Sequence, residues 1–178
     1  YDLPFIPVRL FKEYDLMSID KSQVFKTMTS SGTTGQKVSK IFVDKDTASN
    51  QQKTLIKILS DFIGKQRLPM LIIDSPKVVK DRNLFSARGA AILGLSMLAR
   101  ERTYALDENM QLNVEVVKEF YQKYEGQRVL LFGFTFMVWQ HLYSELKRLN
   151  LKLNLPEAFL ITGGGWKKLV TLNISREA

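Results

Sequence analysis

The sequence holds no cysteine and one histidine, His141, among its 178 residues. The first absence excludes disulfides, thiolate-bound zinc and a cysteine nucleophile within this stretch. The second excludes a metal site built from several imidazoles. No apolar run approaches the roughly 20 residues that a membrane-spanning helix requires. Charges interrupt the opening YDLPFIPVRLFKEYDL where a signal peptide would be apolar. A cytoplasmic location is the expectation. Methionine is missing from position 1, and the ending LVTLNISREA carries no terminating signal. Residues 1–178 are therefore expected to be a single, incomplete domain cut from a longer chain.

What is present is enough apolar material for a core, 45% of residues, and a formal charge of +8. Such a balance attracts polyanions: nucleic acid, anionic lipid or phosphate-bearing small molecules. The basic residues are scattered, however, in short clusters such as Lys77, Lys80, Arg82 and Lys147, Arg148, Lys152. There is no nucleic-acid motif, and the aromatics look buried rather than interleaved with bases. Charge alone thus reads as a solvated surface, and nucleic acid is not the expected partner.

Short apolar runs alternate with longer periodic segments, which predicts an α/β fold with a mixed β-sheet and packed helices. Val24–Met28 and Lys40–Val43 read as strands able to form a hairpin over a long loop. Asp46 reads as a helix N-cap before Leu55, Ile56, Leu59, Phe62 and Ile63, with Gly64 closing the segment. PMLIID, residues 69–74, is a buried strand between two prolines. FSARGAAILGLSMLAR, residues 85–100, reads as a buried helix in which Gly89 and Gly94 permit close packing. Arg102–Leu106 suits a further strand. Val117, Phe120, Tyr121 and Tyr124 mark an amphipathic helix over 114–124, ended by Gly126. RVLLFG is the next buried strand. Thr135 reads as the cap of a helix carrying Val138, Leu142, Leu146 and Leu149. EAFLITGGG closes as strand and glycine loop, with a crossover long enough for parallel pairing.

Chemistry concentrates in TSSGTTGQKVSKIFVD, residues 29–44. Phosphate oxygens need several donors converging on one point. Glycine tolerates the positive φ that turns backbone N–H groups inward, and short hydroxyls add donors without bulk. Thr29, Ser30, Ser31, Gly32, Thr33, Thr34 and Gly35 meet that need, with Lys37 and Lys40 adding positive charge. The run is neither a Walker A loop nor the dinucleotide fingerprint. On composition alone, an ordinary turn between strands accounts for it as well.

A second glycine cluster, TGGGWKK, follows a buried strand. Gly163, Gly164 and Gly165 would let a flat ligand lie against bare backbone, or would simply turn the chain with Trp166 packed as core. A third stretch, FGFTFMVWQHLY, offers Phe134, Trp139 and His141 as walls of an apolar pocket, or as core at helical spacing.

TSSGTTG resembles the hydroxyl- and glycine-rich loop of the adenylate-forming enzymes. Most members continue Gly-x-Pro-Lys-Gly, whereas this chain reads Gly35-Gln36-Lys37-Val38-Ser39, without the proline. IPVRLFKEYDLMSI, VFKTMTSSGTTGQKVSKIFVDKDTASNQQ and LITGGGWKK resemble the LuxE-like acyl-protein synthetases, and the resemblance covers nearly the whole chain. It implies part of the large N-terminal domain of such an enzyme, with ATP and Mg²⁺ as cofactors. A carboxylic acid, expected to be fatty, would be activated as an acyl-adenylate and passed to a protein thiol. By the same resemblance, Thr29–Gly35 and Lys37 would hold the β- and γ-phosphates. Gly163–Gly165 would line the adenine side, and Phe134, Trp139 and His141 would be acyl-pocket candidates.

The resemblance also implies groups that this stretch does not display: an acidic metal ligand, a ribose-binding aspartate, a catalytic lysine and the acyl-accepting cysteine. No catalytic residue is therefore assigned, and residues 1–178 alone are expected to be inactive. Two other readings compete. One is an acyl- or aryl-CoA ligase of the same superfamily, differing in the final thiol. The other is a non-catalytic module that binds nucleotide or protein.

Overall fold

The computed structural model describes residues 4–29, 37–80 and 87–166. The chain divides into two compact units, Tyr1–Phe62 and Ile63–Ala178.

In the first unit, α1 (Leu10–Glu13) precedes a 3-10 turn at Lys21–Gln23. Asp20 and Gln23 close that turn reciprocally, side chain to backbone, as a capping box. Strands β1 (Lys26–Thr29) and β2 (Lys40–Val43) then pair antiparallel, in register from Lys26 opposite Val43 to Thr29 opposite Lys40. The expected hairpin is present, its first strand beginning two residues later than expected and ending one residue later. Lys40 is further tied to Asp15 at 3.0 Å.

Helix α2 (Lys45–Ile63) follows at once. Its cap is Asp44, not Asp46: the Asp44 carboxylate accepts from the Thr47 N–H at 2.6 Å. The N–H three residues into a helix lacks an intrahelical partner, and only the residue just before the helix can reach it. Asp46 instead lies in the first turn. Gly64 ends the helix at φ 84°, where a side chain would be strained.

The second unit is built on a parallel sheet of four strands in the order β4-β3-β5-β6. These are β3 (Leu68–Ile72), β4 (Ala99–Tyr104), β5 (Val129–Phe134) and β6 (Ala158–Gly163). All three pairings are parallel. Antiparallel and parallel pairings thus fall in separate sheets rather than mixing in one. Every residue of β3 is buried, as its unbroken apolar run requires of a central strand covered on both faces.

Between β3 and β4 lie α3 (Lys77–Lys80) and α4 (Ala87–Leu95). The helix expected through residue 100 stops at Leu95, passes through a 3-10 turn at Ser96–Leu98, and gives way to β4 at Ala99. Nor is it buried all round: Ile92 is buried, while Leu93 and Met97 are exposed.

Helix α5 (Val114–Lys123) leads from β4 to β5. The Asn113 side chain caps it by accepting from the Val116 N–H. Val117, Phe120 and Tyr124 are buried, and Tyr121, expected in the same stripe, is only half-buried.

From β5 the chain enters one continuous helical passage: α6 (Thr135–Met137), a π-helical segment Val138–Tyr143, and α7 (Ser144–Arg148). Leu71, Ile73, Val129 and Leu131 from the sheet, Val117 and Phe120 from α5, and Met137 and Leu142 from this passage share one core.

Right-handed crossovers fix which face each helix covers. From β3 the chain moves one way to β4. From β4 to β5, and from β5 to β6, it moves the other way. Helix α4 therefore covers one face, and α5 with the α6–α7 passage covers the opposite one, which agrees with the core they share.

Candidate functional site

The crossovers leaving β3 and β5 go to opposite faces although the two strands are neighbours. Their carboxyl ends flank the crevice in which open α/β sheets place ligands. Two constellations lie along this carboxyl edge.

The first sits over the β3–β5 crevice. Asp74 follows β3 and is 3% exposed. Its carboxylate accepts from the Ser75 N–H at 2.8 Å and pairs with the Arg88 Nε at 3.3 Å. Arg88 comes from α4 on one face of the sheet. Its Nη1 reaches the sulfur of Met137 at 3.5 Å, in the core of the other face. The guanidinium thus bridges the two sides of the crevice.

His141, in the π-helical segment, is half-buried, and the Met110 backbone is among the groups that act on its imidazole. Burial pushes its imidazole below the ordinary histidine range, against the opposing pull of Asp74 and the Met110 contact. Burial pushes the Asp74 carboxyl up, while the Ser75 N–H and Arg88 work to keep it ionised. The loop that holds Met110 is fixed by Asp107, whose carboxylate accepts from the N–H groups of Asn109 and Gln111 at 2.8 and 2.9 Å. Met110 itself is at φ 64°.

The second constellation is the glycine turn after β6. Gly164 is at φ 70°, and a Cβ placed there would stand 3.0 Å from the Phe134 ring, so the protein itself demands glycine. No such demand exists at its neighbours. A Cβ on Gly165 would meet nothing within 4 Å among the described residues, and one on Gly163 would stand no closer than 3.9 Å to Phe134. Glycine at 165 thus leaves backbone bare beside open space among the described residues, whereas at 163 a side chain would rest against the Phe134 ring.

Thr135 is the first residue of α6 rather than its cap, and its hydroxyl serves this turn instead. It donates to the carbonyl oxygens of Gly164 at 3.1 Å and, more weakly, Gly163 at 3.4 Å. Beyond the turn, Trp166 stands edge-on to Trp139 with ring centroids 5.6 Å apart. Trp139 stacks on Tyr143 at 4.7 Å.

The candidates read from the sequence therefore separate. Gly163, Gly164, Gly165, Phe134 and Trp139 come together around the turn, with Phe134 and Trp139 half-buried. His141 belongs with Asp74 and Arg88 instead. In the first unit, Thr29 closes β1 and is exposed, as is Lys37. Ser30, Ser31, Gly32, Thr33, Thr34 and Gly35 lie outside the described residues.

Asp74, Arg88 and Thr135 escaped the sequence reading as site residues. Asp74 and Arg88 stand far apart along the chain, and only the β3–α4 crossover brings them together. The one usable signal was the polar pair Asp74-Ser75 directly after a buried apolar run. Among the described residues, no group of three or more His, Asp or Glu side chains is arranged to hold a metal. No helix among them is long and apolar enough to cross a membrane.

A doubly wound parallel sheet, with polar side chains and a glycine turn at its carboxyl edge, places the chain in the α/β class. The chain belongs to the LuxE family of acyl-protein synthetases, whose sequence profile matches residues 1–178. Membership implies an enzyme class that joins acyl groups to a protein acceptor. Comparison with curated proteins returned no match, and comparison with solved structures returned none either.

Proposed function

We propose that the protein activates a carboxylic acid, fatty in kind, with ATP and hands the acyl group to a protein thiol. The carboxylate oxygen attacks the α-phosphorus of ATP. The bond from that phosphorus to the bridging oxygen breaks, pyrophosphate leaves, and an acyl-adenylate remains. A thiolate then attacks the acyl carbon, and AMP departs with the electrons of the broken C–O bond. The observation that carries this reading is the family match over the whole chain, joined to a glycine turn at the carboxyl edge of the sheet.

Gly163–Gly165 would suit a flat base, because among the described residues nothing fills the space beside Gly165 and only the flat Phe134 ring borders that beside Gly163. The hydroxyl-rich loop Thr29–Gly35 with Lys37 takes the terminal phosphates in this reading. Its task is positioning and charge stabilisation, the terms that dominate phosphoryl chemistry. The described residues do not by themselves form a cation cluster. Mg²⁺ would accompany the nucleotide and neutralise its phosphates. Residues 1–178 are proposed to form one functional part of the synthetase, in the cytoplasm.

Carboxylate-dependent exchange of labelled pyrophosphate into ATP by the full-length enzyme is the test. Exchange that requires the acid supports adenylation. Acyl transfer to protein without any such exchange rejects it. Offering CoA beside a protein thiol separates the acyl-CoA ligase reading.

A further inference from the structure

The Asp74–Arg88 pair has an asymmetry that a purely structural ion pair would not need. The Asp74 side chain is 4% exposed and that of Arg88 is 32% exposed. Burying a carboxylate costs it its hydration unless partners replace the lost water contacts. Here the Ser75 N–H and Arg88 supply them. The cation, by contrast, keeps contact with solvent at the mouth of the crevice where the crossovers diverge. A buried anion behind a half-open guanidinium fixes the pose of the guanidinium and sets its outer edge toward whatever enters.

Its donors tell the same story. Guanidinium has five N–H groups in a rigid fork. Among the described residues, Nε pairs with Asp74 and Nη1 meets the Met137 thioether, a weak acceptor. A carboxylate presents two strong acceptor oxygens at the spacing of that fork, and such bidentate pairs are the strong ones. Met137 behind the fork is 1% exposed and belongs to the core, so the guanidinium meets apolar packing on its inner side and solvent on its outer one. A charged carboxylate head matches that outer side.

We propose that the outer edge of Arg88 binds the carboxylate of the acid substrate in the β3–β5 crevice, with Asp74 as its positioning residue. The identity of the acid as a substrate rests on the function proposed above. Asp74 also supplies the counter-charge when the crevice is empty. Once the carboxylate has become a neutral acyl group, it no longer pairs with the outer edge of the guanidinium, while Asp74 keeps its own bond at Nε.

The test uses straight-chain fatty carboxylates, each beside the alcohol of equal length. Binding without nucleotide is read from the fluorescence of Trp139 and Trp166. The wild-type protein is expected to prefer carboxylate over alcohol. Arg88→Met should weaken carboxylate binding about tenfold, equivalent to about 1.4 kcal/mol, leaving the alcohol and ATP unchanged. Arg88→Lys, which keeps the charge and the partner of Asp74 but not the fork, should retain part of the preference. It decides the matter if the methionine variant fails to fold. Asp74→Asn should loosen discrimination, so that inorganic pyrophosphate competes better against the carboxylate, which a merely structural pair would not produce.

Equal binding of acid and alcohol by the wild type overturns the proposal, as does equal loss of both in the variants. Loss confined to ATP or pyrophosphate also overturns it and makes Arg88 a phosphate ligand. Carboxylate preference without pyrophosphate exchange would sink the adenylation reading while leaving this site standing.

Discussion

The Thr135 hydroxyl donates to the Gly164 carbonyl oxygen across 3.1 Å, joining the carboxyl ends of β5 and β6. Gly164 is the one glycine of its trio that the protein demands for its own backbone, at φ 70° against the Phe134 ring. Hydroxyl, ring and turn therefore act as a unit that sets where the backbone of Gly163 and Gly165 points. Thr135→Val keeps the shape and removes the donor. A hydrogen bond of this kind is worth about 1 kcal/mol net, so ATP affinity is expected to fall about fivefold. Thr135→Ser should stay near wild type. Fluorescence titration with ATP reads both, and unchanged affinity in the valine variant would detach the turn from the nucleotide.

Stability should respond at two glycines for different reasons. A Cβ on Gly133 would stand 2.9 Å from both the Ile73 Cβ and the Val138 Cγ2, inside the core where β5 meets the helical passage. Gly133→Ala is expected to cost about 1–3 kcal/mol by overpacking. Gly126→Ala has open space around it but φ 67°, so its cost is backbone strain alone, about 1 kcal/mol. Denaturant titration should rank them in that order.

His141 is the sole histidine, so its imidazole protons can be followed by NMR without ambiguity. Burial lowers its folded-state value, with Asp74, Arg88, Glu145 and the Met110 backbone as the groups that act on it. A depressed value means that the folded state prefers neutral imidazole. The stability it contributes is present above the unfolded value of 6.5 and is lost as pH falls through the folded one. The titration midpoint is expected below 6.5. His141→Gln should flatten the acid side of the stability profile in that window, and a midpoint above 6.5 would contradict the placement of His141.

Much of the fold was legible because the strands at the centre are apolar without interruption. LPMLI and VLLFG have no other stable place than a sheet covered on both faces. The amphipathic stripe of α5 and the paired strands β1 and β2 were equally plain. The α4–β4 junction was not. In ARERTY, the outward positions of an edge strand are charged, and Ala99 and Arg100 look like the continuation of the helix before them. Periodicity cannot see a hydrogen-bond partner. The glycine turn and the stretch carrying Phe134 and Trp139 were each readable, but as two separate sites; that they meet was not, because only the pairing of β5 with β6 brings them together. The Arg88 bridge was not, because it depends on β3 and β5 being neighbours while their crossovers part. No spacing along the chain records that order.

The cap of α2 turns on a choice between two aspartates, and acid titration separates them. Asp44 accepts from the Thr47 N–H, and that bond holds its carboxyl below the ordinary range. A depressed carboxylate contributes stability above its unfolded value of 3.8, and the contribution is lost as pH falls through the lower folded value. Asp44→Ala should therefore lower the melting temperature at neutral pH, with the difference from wild type closing only once the pH falls below that depressed value. Asp46 in the first turn interacts with the helix dipole, with no directed side-chain bond among the described residues, an effect that salt screens. Asp46→Ala should produce a smaller drop that shrinks as salt is raised, whereas the Asp44 effect should persist. Equal, salt-sensitive losses at both positions would show that neither side chain caps the helix by a directed bond.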